Sequence, residues 1–131
     1  MRKLQRTCTE NGLVHLFVYG TLKRGYNNHY YLARGKSIYL GKAETVDAFA
    51  LYVGRYPYVT PQEPICPIKG ELYAVDQNTL AQIDLLEGHP TYYKRRLTKV
   101  RLQEDGSIVD AFLYFHENPE GKLVPSGLFI K

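Results

Sequence analysis

The sequence has no tryptophan, a single methionine, two cysteines, and no apolar run near the length that crosses a bilayer. The last absence argues against a membrane-spanning helix, which needs roughly 20 consecutive apolar residues. Cys8 and Cys66 lie far apart and neither belongs to a CxxC pair, so neither a zinc site nor a disulfide scaffold is expected. Both read as free thiols in a cytoplasmic protein. The four histidines, His15, His29, His89 and His116, show no ligand spacing, and none adjoins a cysteine in sequence. Metal catalysis and a Cys–His nucleophile pair therefore have no support. The basic start Met1-Arg2-Lys3 leads into the polar stretch Thr7-Cys8-Thr9-Glu10, where a secretion signal would need an apolar one.

What is present fits one folded domain. The chain has 131 residues, of which 44% are hydrophobic, enough for one core and little more. Twelve tyrosines and five phenylalanines point to a β-rich interior with ring edges reaching water. Seventeen basic against thirteen acidic residues leave a net charge of +4, too mild to indicate nucleic acid by itself. Residues 1–12 are polar and aperiodic and read as a tail, with a single domain over 13–131.

Along that domain, Leu13 to Tyr19 is continuously apolar, the pattern of a strand buried on both faces. Gly20 ends it. A loop follows, and Asn27 or Asn28 is placed to cap a short helix over His29 to Arg34. Ser37 to Val53 fits one long bent strand or two short ones. Tyr56 to Pro61 reads as a proline-pinned aromatic segment, followed by a loop that Pro64 and Pro67 keep extended. Gly70 to Val75 alternates as a half-buried strand. The firmest helix starts at the N-cap Asp76 and stops at Gly88, with Pro90 behind it. Tyr92 to Leu102 and Ile108 to Phe115 form a hairpin around Asp105-Gly106. The fold class is α+β: a small mixed β-barrel, closed or half-closed, with flanking short helices.

Two features carry chemistry. At Tyr19-Gly20-Thr21-Leu22 a buried strand breaks and leaves consecutive backbone amides pointing one way, a nest for carboxylate or phosphate oxygens, although an ordinary strand-to-loop turn would read the same. Gly20 and Gly25 have the outer spacing of a phosphate loop, but Tyr26-Asn27 stands where Lys-Ser/Thr is required, which rejects nucleotide binding. Glu87 closes the firm helix, where the macrodipole opposes a negative charge. Partial burial would push its pKa further upward, towards the range useful to a general base. The plainer alternative is a solvated glutamate. Glu71 reads as an exposed or paired strand residue and Asp84 as solvated helix surface. Lys94, Arg95, Arg96, Lys99 and Arg101 crowd one strand beside Tyr92 and Tyr93, but alternation divides them between both faces, so no nucleic-acid groove is expected.

Several motifs in this order, Val18 to Gly25, Asn28-His29, Gly70 to Asp76, Leu85-Leu86-Glu87-Gly88 and Tyr93-Lys94-Arg95, resemble the γ-glutamyl cyclotransferase (AIG2-like) family. The similarity is nearest to γ-glutamylamine cyclotransferases and short bacterial relatives and spans roughly residues 14 to 115. After Ser126-Gly127 the sequence departs from it, with Leu128-Phe129 where bacterial members often carry an acidic residue and an aromatic. The resemblance implies a barrel with a cavity at one mouth. There, the amides of Tyr19, Gly20, Thr21 and Leu22 would hold the α-carboxylate of a γ-glutamyl group. Glu87 would be the catalytic acid/base, and Tyr93 and Tyr114 would stand near the pocket.

It further implies ring closure to 5-oxoproline with release of an amine or amino acid, without metal or cofactor. The partner would be a small γ-glutamyl substrate, with neither nucleic acid nor membrane, and the protein a monomer or weak homodimer. The competing function is a non-catalytic module that binds a γ-glutamyl or other carboxylate ligand.

Overall fold

The structure is a computed structural model that describes residues 12–130. The expected tail, all but Gly12, and Cys8 lie outside the described residues. The elements are β1 (Val14–Val18), α1 (Tyr30–Ala33), β2 (Ser37–Val53), β3 (Pro57–Thr60), β4 (Cys66–Val75), α2 (Gln77–Glu87), β5 (Lys94–Leu102), β6 (Ile108–Phe115) and β7 (Lys122–Leu123).

Strand order runs β2-β4-β1-β6-β5, and β5 pairs back onto β2 through Ala43↔Leu102 to Thr45↔Val100, so five strands close a barrel. Its one parallel seam joins β1 to β6; the other pairings are antiparallel. This is the mixed barrel with short helices expected from the sequence, in its closed form.

The continuous apolar run of β1 has a direct cause. Successive side chains on a strand point to opposite faces. Leu16 and Val18 enter one core with Leu22, Leu32, Leu80 and Ile83. Phe17 and Tyr19 enter another with Leu51, Ile68, Leu72 and Leu113. The first core seats α1 and α2 against the barrel wall, and the second fills the barrel. Each fully buried aliphatic side chain contributes about 2 kcal/mol of transfer free energy.

β2 is a single 17-residue strand, bent by register irregularities between Tyr39 and Gly41 and between Glu44 and Ala48. Its far half leaves the barrel to pair with β3 and β7. The proline-pinned aromatic segment Tyr56 to Pro61 contains a buried strand, Pro57–Thr60; Pro57 occupies its first position, where proline is tolerated. Three sequence expectations need correction. The β4 strand starts at Cys66 rather than Gly70, and Pro67 fits within it because it pairs with Ala48 beside the second irregularity of β2. The α1 N-cap is His29, with no side-chain cap bond; neither Asn27 nor Asn28 serves. Further along, β5 begins at Lys94, leaving Tyr92 and Tyr93 in the turn that precedes it.

Among the described residues no helix is long and apolar enough to cross a membrane.

Candidate active site

α2 sets one wall of the site. The Asp76 carboxylate accepts the Thr79 amide at 2.8 Å and caps the N-terminus. Leu80 and Ile83 bury the inner face against the barrel. Gly88 takes the left-handed conformation at φ 68° and ends the helix, its amide bonding to the Asp84 and Leu85 carbonyls. The chain then folds back tightly, with the Tyr92 amide on the Gly88 carbonyl at 2.7 Å and the Tyr93 amide on that of Glu87 at 3.3 Å. That turn brings Tyr92 and Tyr93 beside Glu87.

The opposite wall is the end of β1. The Lys23 amide closes a turn on the Gly20 carbonyl, and the Asn28 amide bonds to the Thr21 carbonyl, both at 3.0 Å. Asn28 Nδ2 also donates to Thr21 Oγ1 at 2.8 Å, so Asn28 locks the turn rather than capping a helix. Among the described residues no protein acceptor takes the amides of Gly20, Thr21 and Leu22. Gly20 is required by packing: a Cβ there would meet Pro57 Cγ at 2.6 Å.

Glu87 and the turn Tyr19–Leu22 line one cavity of about 350 Å³, together with Tyr93 and Tyr114. All seven residues expected at the site from the sequence are thus neighbours in space. The Glu87 side chain is half-buried and makes no protein hydrogen bond among the described residues. Burial, and then the negative charge of Asp84 one turn earlier, push its carboxyl from the ordinary 4.5 up to about 7. It can therefore hold or release a proton near neutrality.

The tyrosines build the wall. The Tyr19 hydroxyl donates to the Tyr114 carbonyl at 2.8 Å, that of Tyr93 to the Pro57 carbonyl at 2.8 Å, and that of Tyr114 to Asp84 Oδ1 at 2.6 Å. Burial drives all three phenols up, so they remain protonated donors committed to protein acceptors.

Asp84, read from sequence as solvated surface, is a correction. Arg95 clamps its two oxygens at 2.8 and 3.0 Å, and Tyr114 bonds to Oδ1. Burial by itself would raise this carboxyl, but the bonds from Arg95 and Tyr114 outweigh it and hold Asp84 below the usual carboxylate range. The missed signal was Arg95, eleven residues away on the next strand, which spacing alone cannot pair with Asp84. Of the crowded charges on β5, Arg95 is thus tied to α2 and Lys99 pairs with Asp110 at 3.3 Å. Glu71 is a paired strand residue, accepting the Arg24 amide and the Tyr73 hydroxyl, both at 3.0 Å.

Known proteins share both the sequence and the architecture. A relative from Methanocaldococcus jannaschii, provisionally named a gamma-glutamylcyclotransferase, is 45% identical over 86% of this chain and 92% of its own. The rat gamma-glutamylaminecyclotransferase is 34% identical over 78% of this chain and 77% of its own. The crystal structure of a mouse AIG2-like protein superposes with a TM-score of 0.73 at 33% identity, covering 79% of this chain and 76% of that one. An uncharacterised protein from Pyrococcus horikoshii superposes at 0.69 and 33% identity, over 88% of this chain and 89% of that one. Residues 16–131 match the family described as "Gamma-glutamyl cyclotransferase, AIG2-like", and the chain belongs to it.

Proposed function

We propose that the protein converts a γ-glutamyl amide, a γ-glutamylamine in the first place, into 5-oxoproline and the free amine, with Glu87 as the proton-transfer group. One observation carries the reading: a half-buried carboxyl poised near pH 7 shares a cavity with three backbone amides that meet no acceptor among the described residues.

The substrate brings its own nucleophile. Its α-carboxylate accepts hydrogen bonds from the Gly20, Thr21 and Leu22 amides, which holds the γ-glutamyl chain curled. Ionised Glu87 takes a proton from the α-ammonium, and the freed amine attacks the γ-carbonyl carbon. As the amide C–N bond breaks, protonated Glu87 returns that proton to the departing nitrogen. The regenerated carboxylate then takes the surplus proton from the new ring nitrogen, and the amine leaves with it as an ammonium. Atoms and charge balance without a co-reactant. Anchoring and curling can supply several kcal/mol of the barrier reduction, and proton transfer a further 10²–10⁴-fold.

Incubation with γ-glutamyl amides is expected to yield 5-oxoproline and amine in equal amounts. Release of glutamate instead would indicate hydrolysis and overturn the reading. The reaction is assigned to the cytoplasm, in keeping with two cysteines in 131 residues, and to a monomer or weak homodimer without nucleic acid.

The pH dependence follows from the same carboxyl. Glu87 acts as a base, so kcat/KM is expected to fall as pH drops through about 7 in the free enzyme. In Asp84→Asn the negative neighbour is gone and Arg95 is left uncompensated, both of which favour the Glu87 carboxylate. Its acid limb is therefore expected at lower pH than in the wild type. A pH–rate profile of the two proteins checks both statements, and an unshifted limb would show that Asp84 does not tune Glu87.

A further inference from the structure

A second cavity, of about 650 Å³, shares no lining residue with the one that holds Glu87. Its volume is ordinary for a small-molecule site. Strands β2, β4 and β5 supply one side of it, through Lys42, Glu44, Glu71 and Arg101. The other side is Lys23 and Tyr26, from the loop after β1, and the segment Leu128 to Ile130. That segment is strapped to β4: the Lys69 amide donates to the Gly127 carbonyl at 2.9 Å, and Lys69 Nζ to that of Ser126 at 3.2 Å.

Basic groups outnumber acids in the lining, where Lys23, Lys42, Lys69 and Arg101 stand against Glu44 and Glu71. Strand pairing accounts for both acids. Glu44 lies opposite Lys69 and Arg101, and Glu71 lies opposite Lys42. Lys23 is left without a carboxylate at ion-pair distance among the described residues. It is only 6% exposed, and its ammonium sits 5.2 Å from the centre of the Tyr26 ring and 5.8 Å from that of Phe129. An ammonium has three N–H donors. Among the described residues the Phe129 carbonyl, at 2.8 Å, takes one of them. Burial pulls the Lys23 pKa down; Glu71 opposes this and Lys42 adds to it. A buried cation with donors to spare is costly until an anion answers it.

We propose that this cavity binds a small organic anion, its acidic head on the Lys23 ammonium and its apolar body against Tyr26, Leu102, Leu128 and Phe129. The exposed side chains of Lys42 and Arg101 draw the anion in. The site is separate from the one assigned to the γ-glutamyl substrate, so the inference does not depend on the cyclotransferase reading.

Calorimetric titration with 2-naphthoate and 2-naphthamide, which differ in the charge of the head, tests it. The carboxylate is expected to bind one per chain and roughly 10- to 100-fold more tightly than the amide. Lys23→Met keeps an apolar stem and is expected to remove most of that preference. Arg101→Gln, at an exposed side chain, is expected to weaken 2-naphthoate by about two- to fivefold, and it decides the matter if Lys23→Met fails to fold. The same titration with 2-naphthyl phosphate tells a phosphate head from a carboxylate. Equal affinity for 2-naphthoate and 2-naphthamide overturns the site, as does undiminished 2-naphthoate binding in either folded variant. Tighter 2-naphthoate binding in Glu87→Gln would put the anion in the other cavity and overturns it as well.

Discussion

Replacing Glu87 with glutamine is expected to lower kcat for 5-oxoproline formation by about 10²–10⁴-fold, with little change in KM. The amide matches the carboxyl in shape but cannot carry the proton from the α-ammonium to the departing nitrogen. Substrate anchoring by the Gly20 to Leu22 amides is untouched, which is why the loss should fall on kcat. The same variant is expected to be more stable than the wild type at pH 8, by about 1–3 kcal/mol.

The sign of that gain follows from the protonation states. Glu87 titrates near 7 in the folded protein against an ordinary value of 4.5, so between those values the folded state holds a proton that the unfolded chain has released. Its stabilising contribution is complete below about 4.5 and is lost as pH rises through about 7. Glutamine mimics the neutral form at every pH and escapes the loss. Urea unfolding at pH 5 and pH 8 reads this directly: the variant should gain at pH 8 and show little difference at pH 5. Retained turnover, or a variant that is less stable at pH 8, would contradict the role assigned to this carboxyl.

The second large effect is expected at a residue outside the lining of the cavity that holds Glu87, in Gly70→Ala. Gly70 lies on β4 beside the end of β1, where Val18 pairs with Glu71. An added Cβ would sit 2.2 Å from the Val18 carbonyl oxygen and 2.9 Å from Phe17 Cζ. A ring edge can move aside, but a backbone carbonyl moves only with its strand. Overpacking of this kind costs about 2–3 kcal/mol. Since Val18 leads directly into the turn that holds the Gly20 to Leu22 amides, displacement of β1 should also misplace the carboxylate anchor. The expected result is a lower urea midpoint together with a raised KM. An alanine variant with wild-type midpoint and KM would show that β1 relaxes there without consequence.

How much of this was legible in the chain depends on the range of the forces involved. Local signals were read well. Leu13 to Tyr19 announced a strand buried on both faces, because alternation sends Leu16 and Phe17 into different cores. Asp76 and Gly88 bounded α2 by capping chemistry that depends on neighbouring backbone alone. The Asp105-Gly106 turn fixed the β5–β6 hairpin for the same reason. Prolines misled, because whether a missing N–H matters depends on what lies across the ladder. Pro57 starts a strand and Pro67 faces an irregularity of β2, neither visible without the partner.

The site divides along the same line. The sequence by itself determined the chemistry available: a carboxyl where a helix dipole opposes its charge, a strand that breaks at Gly20, and no ligand set for a metal. Closure of the barrel decided what those parts face. It brought the end of β1 and the end of α2 into one cavity, set Arg95 on Asp84, and spent the hydroxyls of Tyr19, Tyr93 and Tyr114 on the wall. Side-chain burial depends on distances that only the folded chain sets, and with the charge of Asp84 it holds Glu87 near neutrality.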